Sequence, residues 1–305
     1  MSKKKQAHVQ LKGLALLLVI LFAIMILLAM QLGGQNANRD NTNETLKNTE
    51  TGNETETLAS GTDTKEQDVQ ELLTKGYFKV TEKVEHSQAE QDGILYFTAN
   101  LSKLQVTNKD NQEAAEAINA TLAQLEEEAR QELDGLAEEG QYYLEQRVSM
   151  EGDSTFEPYA KENSYMLLRN DERVFSLIRY TYVYKGGTHG DKLAYCLNFD
   201  SKSGRLLTLA DLLDGNGDVS EEAFMSELSA MILQQSKEMD VAFLDDYELS
   251  IPELIRREGT FALTAEGLQI VAEPYVLGPY SSGMLVFTIP TEGLEGFNQE
   301  YQYEK

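Results

Sequence analysis

VFSLIRYTYVYKGGTHGDKLAYCLNFDSKSGRLLTLADLL, residues 174–213, is the stretch that decides the fold of this chain. Between Ser176 and Tyr184, β-branched and aromatic residues alternate with period two, which is typical of a strand with one buried face. Residues 185–190 contain three glycines, and glycine adopts positive φ without steric cost, so a sharp turn follows. Residues 193–199 predict the returning strand and residues 206–209 a third one. We therefore expect a β-meander that leads into a helix.

The residues upstream predict a first α+β module. Apolar residues recur every three or four positions between Asn111 and Leu136, which indicates a long amphipathic helix with Asp110 or Asn111 as its N-cap. A polar turn is expected after this helix, and Gly140 is expected to end that turn. Alternating patterns predict strands at Tyr77–Val84, Ile94–Val106, Tyr142–Met150 and Tyr165–Leu168.

The residues downstream of the meander predict a second module of the same kind. Ser220 is placed to cap a helix over residues 221–239, and Pro252 indicates a short helix at residues 251–256. Three final strands are expected at Thr260–Leu263, Leu268–Ala272 and Met284–Ile289. The predicted fold class is α+β, with two tandem domains, 67–172 and 173–305, each an antiparallel sheet with a helix packed on one face.

The N-terminus predicts a membrane anchor. Residues 1–12 contain four lysines and no acid, and the apolar run Leu14–Met30 spans roughly 26 Å as a helix, so an anchor over residues 13–32 crosses the hydrocarbon core. The basic flank puts residues 1–12 in the cytoplasm and the rest outside. The alternative is a cleaved signal peptide, for which residues 29–31 form a poor cleavage site. We expect a single-pass protein of the cell membrane with an extracytoplasmic C-terminal domain.

Residues 33–66 predict a disordered linker, because their few apolar side chains provide too little burial to offset the entropy of ordering. A flexible coil of this length reaches roughly 30 Å. The domain beyond it would stay close to the membrane.

The charge of the chain restricts its partners. Removing the four N-terminal lysines from 26 basic residues leaves 22 against 51 acidic ones, a net charge of −29 for the rest. This sign excludes nucleic-acid binding. It favours a cationic protein as partner, with an attraction that weakens in salt. The alternative is that the charge only keeps the domain soluble.

Several motifs resemble a known family. YxYxGGTHG ending at Gly190, NFDxxSGxxLTLxDLL ending at Leu213, and FALTAEGLQIVAEPYVLGPYSSG ending at Gly283 resemble the C-terminal extracellular domain of RsiV-type anti-sigma factors. YFTANLSKLQVTNKDNQEAAEAIN, from Tyr96, is similar to the domain that precedes it there and in PdaC-type peptidoglycan deacetylases. The resemblance implies an envelope domain, and the best-understood RsiV-type ectodomains bind lysozyme. Residues 1–12 are too few for a sigma-binding segment, so we expect no anti-sigma activity. The deacetylase catalytic domain is also not expected.

Catalytic and metal motifs are sparse. His189, in the glycine turn beside Thr188, has no second histidine at metal-ligand spacing. The segment 214–218 resembles the start of an EF-hand, but Val219 replaces the required glycine and Met225 the bidentate glutamate. A loop capping the next helix explains it better. The only cysteine, Cys196, is expected to be a buried core residue. We expect no enzyme activity, no cofactor and no metal.

The candidate binding residues lie in two loops that contain glycine. Tyrosine offers amphipathic contact area with little rotamer entropy to lose. If the loops lie side by side, one recognition rim forms from Tyr184, Gly186, Gly187, Thr188, His189, Tyr275, Pro279 and Tyr280. The expected partners are lysozyme, another cationic wall-active protein, or peptidoglycan fragments. The alternatives are a wall-modifying hydrolase centred on His189, an acidic decoy that sequesters lysozyme, and tyrosines that merely cover the sheet.

Overall fold

The computed structural model describes residues 70–72, 76–151 and 156–304 of the chain, which lie in one compact unit. In these residues no helix combines the length and apolarity needed to cross a bilayer. The predicted cytoplasmic tail, anchor and linker, residues 1–66, fall outside the described residues.

A six-stranded sheet holds the strands in chain order. Neighbouring strands form five pairs, of which four are antiparallel. Strands β3 and β4 run parallel, with Phe97 opposite Tyr159. The prediction of an all-antiparallel sheet was therefore wrong, because the intervening helix carries the chain back along the sheet before β4 starts. The strands are β1 (Gln70–Leu72), β2 (Lys79–Gln91), β3 (Ile94–Thr107), β4 (Tyr159–Asn170), β5 (Val174–Tyr184) and β6 (Asp191–Asp200).

Helix α1 (Gln112–Glu151) is 40 residues long and lies across one face of this sheet. Asn111 caps it, because its Oδ1 accepts a hydrogen bond from the Ala114 N–H at 3.3 Å. The predicted stop at Gly140 and the strand after it were wrong. A Cβ at Gly140 would lie 2.7 Å from the carbonyl oxygen of Tyr96, so this glycine allows the helix to approach the sheet closely.

A second, three-stranded antiparallel sheet follows, formed by β7 (Phe261–Leu263), β8 (Leu268–Ala272) and β9 (Leu285–Ile289). Helices α2 (Glu221–Ser236) and α3 (Ile251–Arg256) pack with it around a core that includes Phe224, Leu228 and Phe287. The Ser220 hydroxyl accepts a hydrogen bond from the Ala223 N–H, which confirms the predicted cap. The predicted third strand of the meander was wrong: Leu206 forms a single bridge with Phe199, and a 3₁₀ turn, Leu209–Leu212, follows. The α+β class with two sheet-and-helix modules is confirmed.

The two sheets meet at the outer edge of β6. The Cys196 N–H donates to the carbonyl of Gly259 at 2.7 Å. Asn198, 1% exposed, makes two hydrogen bonds across the junction: its Nδ2 donates to Phe261 O at 2.7 Å, and its Oδ1 accepts from Leu263 N at 2.8 Å. The same Oδ1 accepts from Ser176 Oγ, on the neighbouring strand β5, at 2.8 Å. The strands β5 and β6, assigned to the second domain from the sequence, are thus paired into the first sheet and joined to the second through side chains.

The end of β4 joins both ends of the described fold. Asn170 exchanges hydrogen bonds with the backbone of Phe78, at 2.9 and 2.8 Å. Its neighbour Arg169, 4% exposed, donates to the carbonyls of Tyr301 at 2.6 Å and Gln302 at 3.2 Å and pairs with Asp171. Residues near the start and near the end of the folded unit are therefore held at one point of the sheet.

Candidate functional site

The two loops expected to form a rim lie side by side. The rings of His189 and Tyr280 are stacked, with centroids 3.8 Å apart and planes 15° apart. The Tyr275 hydroxyl lies 3.3 Å from Nε2 of His189, and the Tyr275 and Tyr280 rings are 5.9 Å apart. These three side chains, His189, Tyr275 and Tyr280, form what we call the aromatic cluster.

The loop between β5 and β6 depends on its glycines. Gly186 and Gly187 have φ of 82° and 93°, in the region that favours glycine. A Cβ at Gly190 would lie 2.6 Å from the ring of Tyr182, so a larger residue would displace either the ring or the turn. The Tyr184 hydroxyl donates to the carbonyl of Gly187 at 3.0 Å and so fixes the loop to the end of β5. His189 is therefore presented on a turn with a defined backbone path.

The second loop holds Tyr275 in an uncommon conformation. Its φ is 69°, the left-handed region that bulky residues rarely adopt, and the residue is 56% exposed. The backbone N–H of Tyr275 donates to Gly278 O at 2.8 Å, which closes the turn. Pro279 then precedes the 3₁₀ turn Tyr280–Ser282 and directs Tyr280 towards His189. The surrounding turn thus sustains a strained tyrosine that remains in contact with solvent.

A lysine side chain lies over one ring of the aromatic cluster. Nζ of Lys192, on β6, lies 5.1 Å from the centre of the Tyr280 ring, within cation–π range. Burial lowers the pKa of Lys192 and raises that of Tyr280. The sequence analysis did not single out Lys192, although its place two residues after the glycine turn was a signal that could have done so.

The predicted rim residues divide into two groups. Gly187, Thr188, His189 and Tyr275 are exposed, and Gly186, Pro279 and Tyr280 are partly exposed. Tyr184 is 7% exposed and supports the loop rather than the surface. The contact surface therefore contains the aromatic cluster and its glycine loop but not Tyr184.

An acidic segment that sequence analysis missed adjoins the second loop. Residues 238–249 contain five acids, and the segment is tied to the loop by the Leu244 N–H, which donates to Leu277 O at 2.9 Å, and by the Ser282 hydroxyl, which donates to Ala242 O at 2.7 Å. Leu249 is 80% exposed there. In the sequence, the signal was the alternation of acids with apolar residues in this segment.

The other candidate sites have structural explanations. In the loop 214–218 the Asn216 N–H donates to Oδ1 of Asp214, and the described residues contain no group of three or more metal-ligating side chains. Cys196 is 4% exposed, and burial raises the pKa of its thiol to about 12, so the thiol is protonated at neutral pH. Nδ1 of His189 lies 3.4 Å from the carbonyl of Gly190. Among the described residues no carboxylate contacts this imidazole to orient it as a base.

Two regions of the chain match known families. Residues 95–192 match the family described as deacetylase PdaC, and residues 210–292 match the protein of unknown function DUF3298. The first match ends within β6, and the second begins in the 3₁₀ turn that comes after this strand. No curated protein matches the chain.

One solved structure of a DUF3298 protein is similar in fold, and a second is reported beside it. A member from Bacteroides fragilis NCTC 9343 is 16% identical, with a TM-score of 0.54, covering 73% of this chain and 94% of its own. A member from Pseudomonas aeruginosa PAO1 is 18% identical, with a TM-score of 0.48, covering 73% of this chain and 97% of its own. The chain thus carries a PdaC region and a DUF3298 region in tandem.

Proposed function

We propose that this protein is a non-enzymatic, membrane-anchored recognition module of the bacterial envelope, and that its aromatic cluster contacts a cationic wall-active protein of the lysozyme type. The observation that carries the proposal is the cluster itself: three aromatic side chains that contact one another and reach solvent, on two loops that the fold holds together. The tandem PdaC and DUF3298 regions support an envelope-associated module, and the finer RsiV-type assignment rests on the resemblance of the loop motifs.

The geometry of the cluster suits recognition. Stacking restricts the rings of His189 and Tyr280 before any partner arrives, so little side-chain entropy remains to be lost on binding. Tyr275 is held at positive φ, and strain of this kind is concentrated at functional sites. Tyrosines in such positions are frequent energetic centres of protein interfaces. A folded protein with a complementary surface is the partner that uses all of these features.

The charge supports a cationic partner. The chain has a net charge of −25, and the acidic segment, residues 238–249, lies beside the Tyr275 loop. Complementary charge speeds encounter and excludes anionic competitors. Exposed apolar residues in the same segment, such as Leu249, would add contact area.

The geometry argues against a hydrolase centred on His189. A catalytic histidine is typically oriented by a carboxylate, and the polar groups that contact this imidazole are the Tyr275 hydroxyl and the Gly190 carbonyl. A sensor and a decoy would use the same surface, and they differ only in whether binding triggers a downstream signal.

The test is a titration of the protein with lysozyme at low and at physiological salt. We expect saturable binding that is weaker at the higher salt, and a loss of about tenfold or more in affinity for Tyr280→Ala and for His189→Ala. Tyr303→Ala is the matched control, because Tyr303 is 38% exposed and lies beside Arg169, at the opposite end of β4 and β5 from the cluster.

The absence of saturable binding at both salt concentrations would refute the lysozyme proposal. The same variants would then be titrated with peptidoglycan fragments, and binding of those alone would make the cluster a wall-ligand site. Equal losses for Tyr303→Ala and Tyr280→Ala would also contradict the assigned surface.

A further inference from the structure

The face of the large sheet beneath α1 is not uniformly apolar. One hydrophobic cluster packs the first half of the helix, with Ile118 and Leu122 against Phe175. A second packs the later half, with Leu136 against Phe97. Between them, cross-strand pairing puts polar residues on the same face: Tyr165 is opposite Arg179, Asn163 is opposite Thr181, and Lys161 lies two residues before Asn163. The sheet thus has a polar gap between two apolar clusters.

A cleft of about 220 Å³ opens at this gap, between α1 and the sheet. Its lining includes Lys161, Arg179 and Thr181 from β4 and β5, Glu128 from α1, Tyr195 from β6, and Glu273. Pockets for drug-sized ligands are typically larger, roughly 300–1,000 Å³, so the cleft suits a smaller molecule.

Two of the charged groups in the lining are already paired. Lys161 is 3% exposed and forms an ion pair with Glu132. Glu273 pairs with Arg257 at 2.9 Å and accepts a hydrogen bond from the Ala194 N–H at 2.9 Å. Each of these ion pairs is neutral by itself. Lys161 and Glu273 therefore form the walls of the cleft and are not free to pair with a ligand.

Arg179 is different. Its Nη1 donates to the carbonyl of Leu125 at 3.1 Å, its Nε is buried without a hydrogen-bond partner among the described residues, and no described carboxylate forms an ion pair with it. A partly buried guanidinium without a carboxylate is costly, and its fork of donors matches a carboxylate geometrically.

Glu128, at the mouth of the cleft, has the opposite character. Its Oε1 accepts from the side-chain amide of Gln124 at 3.0 Å, and no described cation pairs with it. Glu128, Arg179 and Tyr195 all line the same cleft. Burial raises the pKa of Tyr195, Glu258 and Glu128 raise it further, and Arg179 lowers it. The lining of the cleft therefore contains one cation, Arg179, and one anion, Glu128, that form no ion pair within the described residues.

We propose that this cleft binds a small zwitterion, an amino acid or a short peptide terminus, with the ligand carboxylate on Arg179 and its ammonium group towards Glu128. Such a ligand would supply the carboxylate that Arg179 lacks and the ammonium group that Glu128 lacks, whereas Lys161 and Glu273 already have partners. Two sources share this chemistry, a protein-derived peptide and a wall-derived peptide, and they differ in the chirality of their residues. This site is separate from the aromatic cluster and does not depend on the proposed partner.

The test is calorimetric titration of the full-length chain with L-alanyl-L-alanine and with D-alanyl-D-alanine. We expect saturable binding of one enantiomer or both, a strong loss when the carboxylate is replaced by an amide, and a smaller loss when the amine is acetylated. Preference for the D,D form would indicate a wall-derived source, and preference for the L,L form a protein-derived one.

Variants make the test specific. Arg179→Gln should lose about tenfold or more in affinity, the size expected for hydrogen bonds between charged groups, while Arg130→Gln, on α1 and paired with Glu85, should bind as the wild type does. Because Arg179→Gln also removes a contact to the helix, Thr181→Glu serves as a second variant: it places an internal carboxylate two residues along the same face and should abolish binding in a folded protein. No saturable binding of either dipeptide, or equal affinity in Arg179→Gln and Arg130→Gln, would overturn the proposal.

Discussion

Asn198→Ala should destabilise the protein more than the replacement of an exposed polar residue does, because the Asn198 side chain joins the two sheets. The asparagine is 1% exposed, and the exchange removes three hydrogen bonds of 2.7 to 2.8 Å. The Leu263 N–H and the Phe261 carbonyl would then be buried without partners. Losing about 1 kcal/mol per hydrogen bond, with a further penalty for each stranded group, amounts to about 3–6 kcal/mol. That is a large part of the 5–15 kcal/mol typical of a folded domain.

Urea unfolding, followed by the far-ultraviolet circular dichroism of the protein, measures the effect. Asn216→Ala is the matched control, because Asn216 is exposed in the loop after Leu213, and it should change the free energy of unfolding by less than about 0.5 kcal/mol. Asn198→Asp should also be costly, since a carboxylate has no N–H to give the Phe261 carbonyl. A loss below about 1 kcal/mol for Asn198→Ala would refute the reasoning that this side chain carries the junction.

Three further predictions concern pH, reactivity and packing. Burial opposes ionisation of Asp211, but Arg205 and other donors lower its pKa to about 2, so its contribution to stability is present above about pH 4 and is lost as pH falls towards 2; unfolding free energies of Asp211→Asn should lack this part of the acid dependence. Cys196, whose pKa burial raises to about 12, should not react with a thiol reagent at pH 8 until urea unfolds the chain, and rapid labelling of the native protein would contradict its placement. Gly204→Ala should cost about 1–3 kcal/mol more than Gly217→Ala in thermal unfolding, because both glycines have positive φ but only the first would bring a Cβ within 2.8 Å of a neighbouring side chain.

Local patterns predicted most of the strands and helices of the fold. Alternation located β5 and β6 to within two residues at each end, and the helical spacing after Asn111 located the start of α1. The errors came from long-range contacts. Gly140 breaks a helix by propensity, yet here it lies against the carbonyl of Tyr96, 44 residues away in sequence, and the pairing of β3 with β4 depends on where the helix returns the chain.

The candidate site was predictable in composition and not in detail. Glycines and tyrosines marked both loops, and their juxtaposition was stated as a condition, which the structure meets. The stacking of His189 on Tyr280 and the cation above the ring depend on the turn geometry of both loops together. The polar gap beneath α1 left no local signal, because Lys161 and Arg179 come from different strands and acquire their meaning only from the register between β4 and β5.

Arg169 and Asn170 hold residues near both ends of the described fold, which gives the large sheet two different ends. Asn170 pairs with Phe175 at one end of β5, and Ala160 pairs with Tyr184 at the other, where the glycine loop begins. An 11-residue strand is about 36 Å long. The aromatic cluster and the place where Arg169 and Asn170 hold Tyr301 and Phe78 therefore lie at opposite ends of β5, so a partner bound at the cluster would leave that attachment point uncovered.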